Sequence, residues 1–350
     1  MKGYTSDKIR NVVLLGHGSS GKTTIAEAAL AATGAVSRMG KVEDGNTVSD
    51  YEKTEIDKGY SISLSVVPVE YNKHKINLLD APGFFDFAGE VASAVRAADA
   101  AVIVVDASAG VQVGTEKAWN AAKAAGLPRF FLINKTDKEN VDVNQVIADL
   151  KEKFGTSVAT PDDRDALMEA VAETDEELLE KYFDAGELSD DEFTKGLANG
   201  ISSGDIALIY TASALKQEGI TDFLDIILKY APSPLAHAPY EAENASGEAV
   251  SVAADPAGPV AAFVFKSVVN KTTGKISYIK VIRGTVHPGS EILNVNQEKP
   301  EKLSSIFFAR GKNQSEAPEV AAGDIFAATK LAYTHTGDTL ADKANVVKFP

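Results

Sequence analysis

The chain contains no cysteine among its 350 residues, so disulfide bonds and thiolate metal sites are excluded. No run of about 18 apolar residues occurs, so we expect no membrane-spanning helix. The opening stretch MKGYTSDKIR lacks the apolar core of a signal peptide. Together these absences predict a protein of a reducing compartment that does not enter a membrane, and the cytoplasm is the expected location.

Basic residues are scarce, and their distribution is uneven. The chain has 35 Lys and Arg against 50 Asp and Glu, a net charge of −15. Residues 256–350 carry 12 basic and 8 acidic side chains, whereas residues 161–195 carry 3 basic and 14 acidic ones. A nucleic-acid-binding protein is usually basic along one face. The composition therefore argues against sequence-specific DNA binding, and we expect any RNA contact to be local and to involve the C-terminal part.

Strand and helix patterns alternate over roughly the first 235 residues. Runs rich in Val, Ile and Leu predict strands buried on both faces, and helical patterns lie between them. Alternation of this kind predicts an α/β fold with a mostly parallel sheet. The run SISLSVVPVEY (61–71) alternates and contains Pro68, which favours an edge strand. The buried runs are NVVLLG (11–16), KINLLD (75–80), AAVIVVD (100–106), RFFLIN (129–134) and IALIYTAS (206–213).

The length of the chain exceeds what one core supports, which predicts more than one domain. We expect an α/β domain over residues 1–235, with a small acidic helical insertion at about 156–204. Residues 236–258 are predicted to be a linker, because five prolines lie in the stretch 231–259. Short β-type runs separated by Gly, Pro and Asn turns predict an all-β barrel over residues 259–350.

The stretch GHGSSGKT (16–23) matches the pattern of a phosphate-binding loop. It follows a buried strand and opens a helix, which is the context that the pattern requires. Glycine lets the backbone N–H groups turn inward around phosphate oxygens, Lys22 would reach the outer phosphates, and the Thr23 hydroxyl would bind Mg²⁺. The candidate phosphate-binding residues are Gly18, Ser19, Ser20, Gly21, Lys22, Thr23 and Thr24.

The stretch DAPG (80–83) ends the buried run KINLLD and matches D-x-x-G. The pattern is common by chance, so its position at a strand end gives it weight. Asp80 is expected to face Mg²⁺ through a water molecule, and Gly83 can offer its N–H group to a terminal phosphate.

The stretch NKTD (134–137) ends another buried run and predicts a guanine-binding loop. Asp137 can accept two hydrogen bonds from guanine, which adenine cannot supply, so an ATPase is disfavoured. Asn134 would brace the loops, and the stem of Lys135 would stack along the base. In the last strand, Ser213, Ala214 and Leu215 form the matching loop, in which an N–H near Ala214 could read the guanine oxygen.

The four motifs together resemble those of a translational GTPase. The stretches at 40–65 and 110–119 and the domain that starts PVAAFVFKS are similar to elongation factor G and its paralogues, with the elongation factor G-like type the nearest. The resemblance implies a GTP-binding domain, GTP and GDP as ligands, Mg²⁺ as cofactor and a barrel that touches the small ribosomal subunit. It also implies a monomer in which Lys22 and Gly83 serve catalysis and Thr23, Ser61 and Asp80 serve the metal.

The sequence departs from the family pattern at several positions. Phe84 stands where the family has a histidine that helps to position the attacking water. Ser61 replaces a metal-binding threonine and keeps its hydroxyl, and Ser19 replaces an aspartate that is common in the phosphate loop. The insertion between the NKxD helix and the last strand is also shorter than usual in the family.

Two interpretations of Phe84 follow, and with them two functions. Phe84 could be a hydrophobic gate, so that hydrolysis is weak or depends on the ribosome, or it could simply pack against the helix that starts near Asp86. The chain is accordingly expected to be a GTP hydrolase of a ribosome-linked cycle. The alternative is a GTP- and GDP-dependent ribosome-binding module with little or no hydrolysis.

Overall fold

The computed structural model describes residues 1–155, 157–270 and 274–350, which form two compact units. We call residues 12–65 and 79–231 the α/β unit. The second unit, which we call the β unit, consists of residues 1–11, 66–78 and 232–350.

Up to Tyr230, strands and helices alternate along the chain, as the hydrophobic pattern predicts. The strands are β1 (Ile9–Leu15), β2 (Ser65–Tyr71), β3 (His74–Asp80), β4 (Ala100–Asp106), β5 (Arg129–Asn134), β6 (Val158–Ala159) and β7 (Ala207–Thr211). The helices are α1 (Lys22–Ala32), α2 (Lys53–Lys58), α3 (Ala88–Ala97), α4 (Val113–Ala124), α5 (Val143–Phe154), α6 (Arg164–Ala172), α7 (Glu176–Ala185), α8 (Asp190–Ser203) and α9 (Ile220–Tyr230). Short 3-10 turns span Ser6–Lys8, Phe85–Phe87 and Pro234–Ala236.

These strands form one sheet in the order β2–β3–β1–β4–β5–β7–β6, which confirms the predicted α/β class. Strands β1, β4, β5 and β7 pair in parallel, with Asp106 opposite Asn134 and Ile133 opposite Thr211. Because the carboxyl ends of parallel strands meet at one sheet edge, the loops that follow these strands converge there. Strand β2, which contains Pro68, lies at the edge of the sheet, as expected.

The acidic stretch after α5 is helical, as predicted, and contains α6, α7 and α8. Thr156, with which the predicted insertion begins, lies outside the described residues. Helices α6 and α8 bury apolar side chains, whereas no residue of α7 is buried.

From residue 240 onwards the chain is built of strands. They are β8 (Tyr240–Asn244), β9 (Ala249–Val252), β10 (Ala261–Asn270), β11 (Gly274–Arg283), β12 (Thr285–Val286), β13 (Glu291–Asn294), β14 (Lys299–Lys302), β15 (Ile306–Arg310), β16 (Asn313–Glu316), β17 (Val320–Ala321), β18 (Ile325–Thr329), β19 (Thr339–Ala341) and β20 (Val347–Lys348). Eight of them form an antiparallel sheet in the order β14–β13–β19–β10–β11–β18–β15–β16 around a core that includes Val264, Ile279, Phe308 and Phe326. Residues 271–273 of the predicted β domain lie outside the described residues.

The predicted linker, residues 236–258, contains regular secondary structure. Strands β8 and β9 form a hairpin within it, with Tyr240 opposite Val252, and β20 joins the hairpin with Val347 opposite Asn244. The prolines lie before β8 or after β9, so they flank the hairpin without interrupting it. Composition alone therefore concealed two short strands.

One further boundary differs from the sequence prediction. Strand β2 begins at Ser65, so residues 61–64 precede it as a loop. Within the described residues, no helix combines the length and the apolarity that crossing a membrane requires.

Candidate functional site

The phosphate loop connects β1 to α1, and its shape depends on residues with positive φ. These are Gly16 (φ 139°), Ser19 (φ 63°) and Gly21 (φ 100°). A Cβ atom on Gly16 would collide with the Val104 carbonyl, and one on Gly21 would collide with the Asn134 amide. Both positions therefore require glycine, for backbone conformation and for space.

Lys22 begins α1 and is buried. Its ammonium group donates to the backbone carbonyls of Gly16 (3.2 Å) and His17 (2.9 Å), and so it is folded back onto the loop. Burial lowers the pKa of Lys22 to about 8, and the nearby Asp80 carboxylate offsets part of that decrease. An anion beside Lys22 would favour its charged form.

Three oxygen-bearing side chains converge next to Lys22, and all three were predicted as metal ligands. The Thr23 hydroxyl donates to Asp80 Oδ2 (2.8 Å) and lies 3.1 Å from the Ser61 hydroxyl. Thr23 and Asp80 are buried, and Asp80 is 1% exposed. Thr24 is half-buried in the first turn of α1.

Asp50 is a fourth member of this cluster, and the sequence analysis missed it. It is 4% exposed, and among the described residues neither of its carboxylate oxygens accepts a hydrogen bond. Asp80 Oδ1 also lacks a donor. Asp50 lies within the stretch 40–65 that carries the family resemblance, but no spacing rule singled it out.

Burial raises the pKa values of both carboxyl groups. Burial raises the pKa of Asp50 to about 7, the Asp80 charge adds to the increase, and the nearby Ser61 hydroxyl offsets part of it. Burial likewise raises the pKa of Asp80 to about 6, against the hydrogen bond from Thr23. Two carboxylates and two hydroxyls with unused oxygen atoms are hard ligands of the kind that Mg²⁺ prefers. The residues present therefore fit a Mg²⁺ ion.

The loop after β3 lies against the phosphate loop. A Cβ atom on Gly83 would collide with Lys22 Nζ and with the backbone of Gly18, so only glycine fits there. The Phe84 ring is 38% exposed and lies over Gly18, where a Cβ atom would be 2.9 Å from the ring. The Phe84 ring centroid is also 4.6 Å from that of Tyr60.

Asn134 joins the two ends of the site. Its amide nitrogen donates to the Ser20 carbonyl (3.2 Å), and its amide oxygen accepts the backbone N–H of Ala214 (3.0 Å). Asn134 thus braces the loops. The same Ala214 N–H group was predicted as one that could read the guanine oxygen.

Lys135 has φ 65°, and its ammonium group donates to the Ser19 carbonyl (2.6 Å) and to Asp106 Oδ2 (2.7 Å). Burial tends to raise the pKa of Asp106, but hydrogen bonds from Lys135 and Ser108 outweigh that effect and lower it to about 2. Asp106, at the end of β4, was also missed from the sequence. The pairing of β4 with β5 places Asp106 opposite Asn134, and this register identifies Asp106 as part of the site.

The remaining predicted base-binding residues lie together. The Ser213 hydroxyl donates to Asp137 Oδ1 at 2.6 Å, and this bond lowers the pKa of Asp137. Asp137 is half-buried, Ala214 is buried and Leu215 is 57% exposed. All the predicted site residues belong to the α/β unit.

Comparison with known proteins agrees with this arrangement. Residues 7–233 match the elongation factor Tu GTP binding domain, and residues 259–343 match elongation factor G domain 2. A crystal structure of a protein from Thermus thermophilus is similar at 31% sequence identity and a TM-score of 0.82. The similarity covers 96% of this chain and 54% of that protein, so this chain spans about half its length. The chain belongs to the family of translational GTPases of the elongation factor G type, with a GTP-binding domain followed by an antiparallel β domain.

Proposed function

We propose that the chain binds GTP and GDP with Mg²⁺ and hydrolyses GTP slowly on its own, in a cycle linked to the ribosome in the cytoplasm. The observation that carries this proposal is the buried pair Asp50 and Asp80 beside Lys22, whose carboxylate oxygens have too few donors. In a magnesium–nucleotide complex, Mg²⁺ would balance the negative charge of the two carboxylates. The phosphates would balance the positive charge of the Lys22 ammonium group.

The metal residues have distinct tasks in this proposal. The hydroxyls of Thr23 and Ser61 would hold Mg²⁺ directly, and the carboxylates of Asp80 and Asp50 would hold it directly or through water. Bound Mg²⁺ neutralises charge that develops on the phosphate oxygens during transfer. Lys22 turns from the loop carbonyls to the outer phosphates, and the Gly83 N–H group binds a terminal phosphate oxygen.

The guanine end supplies base selectivity. Asp137, oriented by Ser213, accepts two hydrogen bonds from the guanine ring, and Lys135 covers the base. Replacing Asp137 with Asn exchanges an acceptor for a donor and should weaken GDP binding by about 100-fold or more, because bonds to a charged group contribute roughly 1.5–3 kcal/mol each. Calorimetry with GDP and ADP measures this change. A retained preference for guanine in Asp137→Asn would exclude the assigned base contact.

Phe84 makes intrinsic hydrolysis slow in this proposal, because its ring has neither a lone pair nor a proton with which to orient water. The ring contacts Tyr60 and lies against Gly18 of the loop that would hold the phosphates. The same observation favours the second candidate function, a ribosome ligand controlled by GTP and GDP that hydrolyses negligibly. In both cases the β domain would contact the small ribosomal subunit, and the chain would act as a monomer.

Single-turnover GTP hydrolysis with and without ribosomes separates the two candidates. Acceleration by ribosomes supports the hydrolase, and absence of turnover in both conditions supports the binding module. Phe84→His should raise the intrinsic rate by about 100-fold, since one orienting group contributes on the order of 3 kcal/mol. Phe84→Leu is the matched control and should not raise it. An unchanged rate in Phe84→His would exclude the gate.

A further inference from the structure

Residues 60–64, which we call the Ser61 arm, connect α2 to β2 without being part of either. The arm carries one of the proposed metal-binding hydroxyls. Because helical or strand hydrogen bonds do not fix it, other groups must set the position of Ser61.

Carboxylate side chains bind the backbone of the arm. Glu55, on α2, is 3% exposed, and its Oε1 atom accepts the N–H groups of Ile62 (3.0 Å) and Ser63 (3.1 Å). Glu90, in the first turn of α3, accepts the N–H group of Leu64 (2.6 Å) and lies 3.4 Å from the Ser63 hydroxyl. Three consecutive amides of the arm are therefore held by two carboxylates.

The two carboxylates differ in what they connect. Glu55 lies seven and eight residues before the N–H groups that donate to it, so it holds the arm to the neighbouring helix α2. Glu90 lies on α3, the helix that follows the DAPG loop. Residues 84–87 connect this loop to α3. The ring contacts of Tyr60 with Phe84 (4.6 Å) and Phe87 (6.5 Å) run between the same two segments.

We infer that Glu90 is a positioning residue that clamps the Ser61 arm onto helix α3, so that the Ser61 hydroxyl and the Gly83 N–H group are placed together. The inference rests on the proposed function, since it assigns Ser61 to the metal and Gly83 to the terminal phosphate. A charged acceptor makes short, strong bonds to N–H groups, which suits a clamp that must hold an irregular segment.

Glu90→Ala and Glu90→Gln test this assignment, with Glu152→Gln as the control on the exposed face of α5. The first readout is the Mg²⁺ concentration that half-maximally slows release of a fluorescent GTP analogue. We expect Glu90→Ala to raise it about tenfold, as the loss of one hydrogen bond to a charged group predicts. Glu90→Gln keeps an acceptor oxygen and should recover much of the loss, and Glu152→Gln should behave as wild type.

The second readout is cleavage by a lysine-specific protease at the exposed Lys53 and Lys58, which lie on α2 just before the arm. Glu90→Ala should be cut several-fold faster than wild type, with and without nucleotide. A lower Tm with unchanged Mg²⁺ dependence and cleavage would show a merely structural role and overturn the inference. If the wild type binds no nucleotide, the proposed function fails, whereas cleavage of the nucleotide-free variants still decides whether Glu90 holds the arm.

Discussion

The two units of the molecule both bury charged side chains, but they treat them differently. In the β unit, Lys75 and Asp324 are fully buried and form an ion pair at 2.8 Å. Asn77 and the Ile325 N–H group donate to the same carboxylate, and the Lys75 ammonium lies 3.5 Å from the centroid of the Phe308 ring. Burial lowers the pKa of Lys75, and the partner carboxylate opposes that decrease.

In the α/β unit, Asp50 and Asp80 are buried acids of the same sign, and among the described residues both oxygens of Asp50 and Oδ1 of Asp80 accept no hydrogen bond. Burial is therefore not what distinguishes a functional charge from a structural one. The distinction is whether the protein itself completes the hydrogen bonds and the charge balance. The Lys75–Asp324 pair is complete within the protein, whereas the Asp50–Asp80 pair is incomplete, as the proposed Mg²⁺ site requires.

The largest effect on stability is expected from removing one partner of the Lys75–Asp324 ion pair. Asp324→Ala leaves the Lys75 ammonium buried without its partner and should lower the free energy of unfolding by about 3–5 kcal/mol. The double variant Lys75→Met/Asp324→Asn removes both charges and should recover most of that loss. Urea unfolding measures both, and equal destabilisation by the single and double variants would contradict the structural role of the charge pair.

The next largest effect is expected from binding Mg²⁺ and GDP at the Asp50–Asp80 pair. Mg²⁺ and GDP at 100 times the Kd should stabilise the protein by about 2.7 kcal/mol, because only the folded state binds them. Thr23→Ala should lose the part of this stabilisation that depends on Mg²⁺. Thermal unfolding with GDP, with and without a chelator, is the measurement. Identical Tm values in both conditions would rule out a metal at this cluster.

Changing pH tests the incomplete pair in the absence of ligand. The pKa of Asp50 in the folded state, about 7, lies above its ordinary value near 4, so the folded protein holds a proton that the unfolded chain releases between these pH values. The contribution of Asp50 to stability is therefore fully present below pH 4 and is lost as pH rises through 7. We expect this loss to be on the order of 2 kcal/mol.

Asp50→Asn should remove much of this pH dependence and make the nucleotide-free protein more stable at pH 8. Asp57→Asn changes an exposed acid in the same segment and is the matched control. Unfolding in a chelator at pH 5 and pH 8 compares the three proteins. If Asp50→Asn keeps the wild-type pH dependence, the two carboxylates do not oppose each other.

The smallest effect is expected for a pair of charges in water. Lys343 and Glu291 lie 3.0 Å apart in the β unit, with side chains 51% and 69% exposed. Lys343→Met should leave the Tm unchanged within measurement error, because solvent screens exposed ion pairs and ordering two long side chains opposes the gain. A clear decrease in Tm would mean that the distance between two charges, and not their burial, determines how much an ion pair stabilises this protein.

The sequence alone was enough to predict the α/β class, the β domain and the loops at the strand ends. These features depend on short stretches, because hydrophobic periodicity and glycine spacing act within one or two elements. The direction of parallel strands then brings Thr23, Asn134 and Ser213 to one edge without any knowledge of side-chain packing.

Contacts between distant segments could not be predicted in this way. The Asp80 charge acts on Asp50, Glu90 binds the arm 26 residues earlier, and Phe84 lies close to both Gly18 and Tyr60. The hairpin β8–β9 lies in a stretch that looked like a linker, and it pairs with a strand about 100 residues later. In each case the local sequence is compatible with a solvated loop, so local patterns carry no sign of the partner.

The sequence by itself determined the chemistry available at the site: a glycine-rich loop, one ammonium group, hydroxyls and carboxylates at strand ends, and a phenylalanine directly after the DAPG loop. Only the tertiary structure decided which of these groups are buried without partners. The reason is that burial and hydrogen-bond satisfaction depend on what the rest of the chain brings to each atom, and that sum is not a property of any short segment.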